Sequence, residues 1–395
     1  MQRPFEGIKV LDITHVLAGP FAAYQLAVLG ADVIKIENPD DVDQSRYMGS
    51  DKDLNQANMG TNFLTQNSNK KSVTLNLKTE QGRGILKQLV KESDVLIENY
   101  RAGSFRDLGL GYDDLRELNP ALIYCSMTGY GQAGPRAHHT VYDHLIQANS
   151  GIMTTTGTPE TAPLKTGIQF MDYATGTMGA FAISSALFQR EKTGEGQYID
   201  VAMLDVAAIL SASHITGYSV SGHAHTAKGN WHRYASSQLY ETKDGLLMLG
   251  AANPGQHRRL MKALGLDHLA HETYEQRDAQ RDEETQSITE KLKEKTAQEW
   301  ETYLQERHVP AAILRTMPDM LGDPHLDHRG VFHHYENIES IGTGATVPIA
   351  AFTYQDGGPQ IDTPPPTLGA DTDQTLIDLG YSESDIKALR ESGAI

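Results

Sequence analysis

The sequence predicts an α/β protein in which a Rossmann-like domain with a parallel sheet is joined to a smaller domain. Short apolar runs alternate with helix-like segments through the first two hundred residues, which is typical of strand–helix–strand units in a parallel sheet. The chain has 395 residues, more than one ordinary core holds. The composition changes near Gly217, where a stretch rich in Ser, Gly and His begins.

The predicted strands of the large domain are short apolar runs bounded by turn residues. They lie at Ile8–Ile13, Asp32–Glu37, Ser72–Leu77, Asp94–Glu98, Ala121–Ser126 and Gln197–Asp205. The segments between them have the spacing of helices that cover a sheet on both faces. These predicted helices lie at Phe21–Leu29, Thr79–Glu92 and Asp172–Arg190.

The second half of the chain predicts a smaller α+β domain and a return to the first. A long polar linker is expected over Tyr218–Tyr234, followed by a hairpin over Leu239–Gly250. Charged helices then run from Gln256 to Glu306, and Val331–Tyr354 is β-rich. The expected boundaries are therefore residues 1–217 for the large domain, 218–235 for the linker, 236–325 for the small domain and 326–395 for the return segment.

Charge and cysteine content exclude several classes of partner. The net charge is −17, so the chain should repel nucleic acid and anionic membrane, which are both polyanions. Cys125 is the only cysteine, which excludes an intramolecular disulfide and fits a reducing compartment. No secretory leader or membrane-length apolar run is apparent, so we expect a cytoplasmic protein.

Two common cofactor sites are not predicted. The turn after the first strand, Thr14–Pro20, lacks the spaced glycines that let a dinucleotide pyrophosphate approach a helix. The sixteen histidines include adjacent pairs such as His138-His139 and His333-His334. None has a Cys or acid at ligand spacing on a clear helix, so we expect no metal.

Basic side chains lie in two predicted loops at strand ends, where ligands of open α/β sheets gather. Asn67–Lys71 precedes one strand, and Asn99–Gly103 follows another, with Arg106 nearby. Lys and Arg in such loops can hold phosphates. Each group alone is also typical of a solvated loop. Together, in a chain of net charge −17, they predict an anion site.

Two further segments carry possible chemistry. The turn Gly129–Pro135 follows a buried strand, and its glycines allow a ligand to approach the backbone, although a plain surface turn fits equally well. Asp172 stands at the head of the long apolar helix. It could simply cap that helix. Alternatively, the helix dipole keeps the carboxylate ionised and nucleophilic, and spare N–H groups stabilise an oxyanion.

Several of these runs resemble the class III CoA-transferases, the formyl-CoA and carnitine CoA-transferase family. The resemblance covers nearly the whole chain in order. Its motifs are VLDITHVLAGP (Val10–Pro20), LGADVIKIE (Leu29–Glu37), NSNKKSVTLNL (Asn67–Leu77), DVLIEN (Asp94–Asn99), SMTGYGQAGP (Ser126–Pro135) and REKTGEGQYIDV (Arg190–Val201).

The resemblance implies a ring-shaped subunit whose large domain is built from both chain ends, with two rings interlocked as a homodimer. It implies CoA as co-substrate, with no other cofactor, and a small carboxylic acid as second substrate. Asp172 would be the catalytic nucleophile, with Tyr142 and Gly131 at the substrate. The residues implied to contact CoA are His15, Val16, Leu17, Ala18, Asn69, Lys70, Lys71, Asn99, Tyr100, Arg106 and Tyr130.

The sequence departs from the family at Asn38 and Thr140, where relatives often have basic residues, and it lacks the glycine-rich flap of the formyl-CoA enzymes. Two alternatives remain beside CoA transfer. The 2-methylacyl-CoA racemases share the fold, but their His-Asp acid/base pair is Tyr142-Asp143 in this chain. A non-enzymatic acyl-CoA-binding protein would not need Asp172. The resemblance leaves open which acids are exchanged, among them small dicarboxylates and carnitine-like acids.

Overall fold

A six-stranded parallel sheet is the centre of the computed structural model, which describes residues 2–395. The strands lie in the order β3-β2-β1-β4-β5-β6, and every neighbouring pair is parallel. This is the strand order of Rossmann folds, with the switch point between β1 and β4. The strands are β1 (Lys9–Ile13), β2 (Asp32–Glu37), β3 (Lys70–Thr74), β4 (Val95–Glu98), β5 (Ile123–Thr128) and β6 (Gln197–Ala202).

Helices cover both faces of this sheet. Alternate strand residues therefore belong to separate cores: Val10 packs with residues of α1 and α8, whereas Leu11 packs with residues of α4. The helices up to this part of the chain are α1 (Ala18–Ala27), α2 (Lys52–Gln56), α3 (Thr61–Leu64), α4 (Glu80–Lys91), α5 (Ser104–Asp107), α6 (Tyr112–Arg116), α7 (Asp143–Asn149), α8 (Phe170–Thr193), α9 (Met203–Leu210) and α10 (Ala212–Ser221).

Close packing of α1 against α8 brings the start of each helix to the same end of the sheet. Gly176 permits this approach, because a Cβ atom at this position would lie 2.6 Å from the main-chain oxygen of Ala18. The first turn of α8, which contains Asp172, is thereby held beside the first turn of α1.

Contacts divide the chain into two units. One unit comprises residues up to Ile152, Lys165–Ala224 and His325–Ile395, and the other comprises Met153–Leu164 and His225–Pro324. The second unit has its own core around Trp300, under a three-stranded sheet. Its elements are β7 (Leu239–Glu241), β8 (Leu246–Leu249), α11 (Pro254–Leu264), α12 (Tyr274–Ala279), α13 (Arg281–Leu292), α14 (Ala297–Gln305), β9 (Ala311–Ile313) and α15 (Met317–Leu321).

The last part of the chain completes the first unit. Asp371 accepts the Ser72 N–H at 2.8 Å, and Ala394 and Ile395 are buried with the α4 side of the sheet. Both ends of the chain thus contribute to one unit. The elements of this return are α16 (Pro324–Arg329), β10 (Phe332–Ile338), β11 (Thr343–Pro348), α17 (Thr372–Asp378) and α18 (Glu383–Glu391).

Several predicted boundaries differ from the structure, and three of them bear on the domains and on the predicted site. The third strand begins at Lys70 rather than Ser72, because the Lys70 side chain is buried in an ion pair. The expected linker begins later than Tyr218, since α10 continues to Ser221 and ends at Gly222 with φ +70°. Residues 153–164 also belong to the second unit, which their position ahead of the long helix does not reveal.

Between residues 2 and 395, no helix combines the length and the apolar character that a membrane crossing requires.

Candidate active site

A cleft with a volume of ≈ 590 Å³ opens at the carboxyl ends of the strands, all of its lining residues belonging to the first unit. The loops after β1, β2, β4 and β5 form its walls, together with the first turns of α1, α8 and α9. This is where ligands of open α/β sheets bind. The cleft collects eight of the predicted site residues: His15, Val16, Leu17, Ala18, Asn99, Tyr100, Tyr142 and Asp172.

The loop after β1 is held by side chains from neighbouring strands. Asn99, just beyond β4, accepts the His15 N–H at 3.0 Å and donates to the His15 carbonyl at 2.8 Å. Lys35, from β2, donates to the Thr14 carbonyl at 2.8 Å. The His15 ring is in edge contact with Tyr100, and burial lowers the pKa of His15 below its usual value.

Val16 is strained in this loop. Its φ is +70°, a conformation that costs a β-branched residue about 1–3 kcal/mol. Two side chains maintain it: Asp43 accepts the Val16 N–H at 2.9 Å, and Gln66 donates to the Val16 carbonyl at 2.7 Å. Asp43 is itself held by a buried ion pair with Lys35 at 2.8 Å. The cleft wall is therefore fixed in one conformation.

Asp172 is the third residue of α8 and lines the cleft. Burial, reinforced by the negative charge of Asp143, raises the pKa of Asp172 to about 7. The carboxylate is therefore more basic than an ordinary aspartate, and a more basic carboxylate is a stronger nucleophile. Perturbed carboxyl groups in clefts are frequent markers of catalytic sites.

The cap of α8 corrects one expectation from the sequence. Asp172 does not cap the helix; Asp143, at the start of α7, accepts the main-chain N–H groups of Met171 at 2.8 Å and Asp172 at 3.2 Å. Those two N–H groups are therefore occupied rather than spare. The physical reason is tertiary: the capping side chain comes from 29 residues earlier, which local pattern cannot show.

Tyr142 precedes Asp143 and lines the cleft with 47% of its side chain exposed. Its ring is stacked on His144. Thr140, which stands where related enzymes have a basic residue, lines the same wall. An exposed phenol opposite the first turn of α8 is available to a ligand that enters the cleft.

Two residues of the predicted Asn67–Lys71 anion loop have structural partners instead. Lys70 is fully buried, pairs with Asp12 at 2.8 Å and donates to the Pro20 carbonyl. Burial, opposed by Asp12, lowers the pKa of Lys70 to about 8. Asn69 accepts the main-chain N–H groups of Asp362 and Thr363 and so attaches the return segment. Neither residue is among those lining the cleft.

Lys71 and Arg106 also lie outside the cleft lining. Lys71 is at the amino end of β3 and pairs with Asp32 at 2.8 Å, at the amino end of β2. Arg106, on α5, is exposed and pairs with its neighbour Asp107. The amino ends of the strands are opposite the edge at which the cleft opens, so Lys71 is placed away from the cleft.

The glycine turn contributes Gly129 to the lining, while Tyr130 and Gly131 lie just behind it. Tyr130 packs against the core and is in edge contact with His139. Gly131 has φ +83°, and its N–H donates to the Thr128 hydroxyl at 2.9 Å. This glycine is needed for the turn itself.

Arg101 lies in the predicted Asn99–Gly103 loop but is not among the residues that the family resemblance assigns to CoA. It is exposed, follows β4 by three positions and lines the cleft. It is the one Lys or Arg among the lining residues. The signal was present in the Asn99–Gly103 segment, but the neighbouring Arg106 resembles the family position and was preferred.

Two of the four acidic residues in the lining, Glu37 and Asp43, pair with buried cations. Glu37 accepts from Arg46 at 2.6 Å, and Asp43 pairs with Lys35. Over residues 2–395 no group of three or more His, Cys, Asp or Glu side chains is arranged to hold a metal ion.

Comparison with known proteins agrees with this geometry. The family described as "CoA-transferase family III" matches residues 5–372. The chain is 35% identical to the succinate–glutarate CoA-transferase of Agrobacterium fabrum, over 95% of this chain and 96% of that one. It is 36% identical to the succinyl-CoA:mesaconate CoA-transferase of Haloarcula marismortui, covering 82% and 83%.

A solved structure shares the fold over almost its whole length. The crystal structure of a CAIB/BAIF family protein from Brucella suis superposes with a TM-score of 0.83 and 33% identity, covering 96% of this chain and all of that chain. The fold, the family match and the named relatives agree with the resemblance in the sequence. This chain belongs to CoA-transferase family III, and it is a CoA-transferase.

Proposed function

We propose that this enzyme moves CoA from an acyl-CoA donor to a carboxylic acid acceptor through a thioester on Asp172. The position of Asp172 carries the proposal: it lines the cleft from the first turn of α8, and its carboxyl group has a pKa of about 7. A carboxylate of this kind is an effective covalent nucleophile toward an activated acyl group.

The proposed sequence balances without an external energy source. The Asp172 carboxylate attacks the donor thioester, forms a C–O bond and releases CoA as thiolate, which leaves a mixed anhydride. The thiolate attacks the Asp172 carbonyl carbon, and the donor acid leaves as carboxylate. The acceptor carboxylate then repeats both steps in reverse. One thioester replaces another, so neither ATP nor any cofactor beyond CoA is needed.

Each addition places negative charge on a carbonyl oxygen, and donors on the cleft wall are needed to stabilise it. Because Asp143 occupies the N–H groups of Met171 and Asp172, the α8 terminus is a poor source of such donors. The start of α1 has no side-chain cap, and Leu17 and Ala18 line the cleft. We assign oxyanion stabilisation to the main-chain N–H groups of this turn.

We propose that both acids are small dicarboxylates. The relatives described above are named for succinate, glutarate and mesaconate, and another, from Chloroflexus aurantiacus, is a succinyl-CoA–D-citramalate CoA-transferase 32% identical to this chain. The cleft offers Tyr142 and Arg101, which suit hydrogen bonding to a second carboxylate. Arg101 is equally suited to pair with the phosphates of CoA. Its variants should therefore be assayed against both substrates.

We further propose that the enzyme is a cytoplasmic homodimer of interlocked rings. Helices α8, α9 and α10 expose large apolar side chains, with exposed fractions of 64% for Phe181 and Phe188 and 67% for Ile209. Apolar faces of this kind on adjacent helices are typical of subunit interfaces.

The decisive experiment is to trap the covalent intermediate. Wild-type enzyme incubated with succinyl-CoA should gain the mass of CoA on the peptide containing Asp172, and hydroxylamine should remove it. Asp172→Asn should fold, form no adduct and lose several orders of magnitude in transfer rate. Equal activity in this variant would contradict the proposal. Rapid exchange of an α-proton of 2-methylacyl-CoA with solvent deuterium, without an acceptor acid, would favour a racemase.

A panel of acyl-CoA donors and free acids defines the substrates. With succinyl-CoA as donor, we expect the CoA esters of five- or six-carbon dicarboxylates to form, as read by mass spectrometry. Monocarboxylates of equal length should give little product. Equal rates with both kinds of acid would contradict the dicarboxylate assignment while leaving the transfer chemistry intact.

A further inference from the structure

A buried carboxylate lies directly beneath the proposed nucleophile. One oxygen of Asp143 accepts the N–H groups of Met171 and Asp172, at 2.8 and 3.2 Å. The Asp143 residue is only 6% exposed. The Asp143 carboxylate is thus buried at the start of α8. It cannot move away from Asp172 without breaking the two hydrogen bonds that cap this helix.

The second oxygen of Asp143 is anchored as well. It accepts a hydrogen bond from the Gln147 amide nitrogen, and the Gln147 oxygen accepts the Thr166 N–H at 3.0 Å. Thr166 in turn donates to the Ile168 carbonyl at 2.9 Å, in the segment that leads into α8. Since both Asp143 oxygens act as acceptors from N–H groups, the geometry suits the ionised carboxylate, which donates nothing.

Within residues 2–395, Asp143 has no salt bridge. Its charge therefore acts on Asp172 without a cation to cancel it. The other charged groups around the cleft are compensated or lie on other walls: Glu37 with Arg46, Asp43 with Lys35, and Asp41, Arg101, His15 and His139 on the loops after the strands.

We propose that Asp143 is a positioning residue whose fixed negative charge drives Asp172 from its free carboxylate into its acylated form. This rests on Asp172 being the nucleophile. Formation of the thioester moves a negative charge from Asp172 to the departing donor carboxylate: Asp172–COO⁻ and R–CO–SCoA become Asp172–CO–SCoA and R–COO⁻. The repulsion between the buried Asp143 carboxylate and the half-buried Asp172 carboxylate is present before the step and absent after it.

The effect of Asp143 on protonation has the same origin. Burial and the Asp143 charge raise the pKa of Asp172 to about 7, because a proton also removes the charge. Acylation and protonation both neutralise Asp172, so the same interaction favours both. Each unit by which a variant lowers this pKa should lower the equilibrium constant for acylation about tenfold.

The test uses two variants and a control. Asp143→Asn keeps an oxygen for the Met171 and Asp172 N–H groups and removes the charge. Asp143→Asn/Gln147→Glu lets the new amide donate to the new carboxylate, so the hydrogen bond between positions 143 and 147 is kept while the charge moves one side chain farther from Asp172. The Gln147 donation to the Thr166 hydroxyl, at 3.1 Å, is lost. Asp371→Asn is the matched control, because Asp371 also accepts a main-chain N–H, at Ser72, but does not line the cleft.

The readout is the equilibrium fraction of CoA-modified enzyme, by intact mass, at fixed ratios of succinyl-CoA to succinate. We expect the acylation equilibrium constant to fall tenfold or more in Asp143→Asn and to be intermediate in the double variant. The acidic limb of kcat/KM should shift to lower pH in the same order. Asp371→Asn should match wild type in both.

Two results would overturn the inference. Acylation constants within twofold of wild type in both folded variants would show that Asp143 is only a helix cap. If Asp143→Asn does not fold, the double variant alone decides, because it retains the hydrogen bond between positions 143 and 147. A wild-type enzyme without any adduct on Asp172 would instead contradict the proposed function, and with it this inference.

Discussion

Arg101 and Arg106 form a natural pair for testing which cation serves the ligand. Arg101 lines the cleft, whereas Arg106 pairs with Asp107 outside it. Arg101→Gln should raise KM for acyl-CoA or for the acid about tenfold or more, since hydrogen bonds to charged groups contribute about 1.5–3 kcal/mol. Arg106→Gln should change KM less than twofold. Steady-state kinetics with both substrates varied would decide, and the reverse ranking would restore the assignment made from sequence.

Asp172 should also cost the protein stability. The pKa of Asp172 is raised in the folded state, so the folded chain keeps a proton that the unfolded chain releases near pH 4. Wild type should therefore lose stability relative to Asp172→Asn as the pH rises from about 4 to about 7, with a constant difference of about 1–3 kcal/mol above that.

Urea unfolding of both proteins at pH 4.5, 6 and 8 measures this difference directly. A gap that narrows with rising pH would contradict the raised pKa. Where unfolding is not reversible, unfolding rates at the same three pH values give the same ranking.

Single residues show where sequence reasoning stopped at this site. The sequence predicts Asp172 as a site residue because a helix head and a family motif coincide there, and Asp172 lines the cleft. Lys70 was misplaced, because a lysine beside Asn and Ser is typical of a polar loop, and its partner Asp12 is 58 residues away. Burial of a charge depends on that distant partner, which no local pattern contains.

At the scale of elements, the clamped loop after β1 makes a sharp prediction. Asn99→Ala leaves the His15 N–H and carbonyl without the side chain that binds both. The loop should then loosen at His15, while Asp43 and Gln66 still hold the strained Val16 beside it. We expect KM for acyl-CoA to rise at least fivefold and the unfolding free energy to fall by about 1–3 kcal/mol.

Asn119→Ala is the matched control for this change. Asn119 also accepts a main-chain N–H, from Ala121, and donates to main-chain carbonyls, those of Val90 and Ser93. It does not line the cleft. A similar loss of stability with unchanged KM is expected. If both variants changed KM equally, the loop clamp would have no special role.

Elements with strong periodicity were predicted well, and their junctions less so. The strand Asp32–Glu37 is observed as predicted. The long helix begins at Phe170, two residues before its predicted start at Asp172. The start of α8 depends on Asp143, and the end of α10 on Gly222. The first is a tertiary contact. The second is a local glycine, which lies inside the polar stretch that the sequence predicts as a linker.

For the whole molecule, the proposed interlocked dimer predicts behaviour that a docked dimer would not show. Light scattering should give twice the chain mass of 43.4 kDa at every dilution. Tagged and untagged subunits should not exchange without unfolding, because threaded rings cannot separate otherwise. A folded monomer at nanomolar concentration, or exchange within minutes, would exclude the interlocked arrangement. Charged substitutions at Phe181 and Ile209, whose side chains are exposed on α8 and α9, should prevent assembly.

The burial of Ala394 and Ile395 in the core beneath the sheet has a consequence for synthesis. Synthesis proceeds from the amino end, so the first unit lacks part of its core until residues 394 and 395 have been added. The second unit ends at Pro324, so all its residues are synthesised before α17 and α18. It can therefore fold before the helices that complete the first unit have been made. In nascent chains stalled before residue 390, the second unit should therefore resist protease digestion, whereas the Rossmann-like sheet should be cleaved.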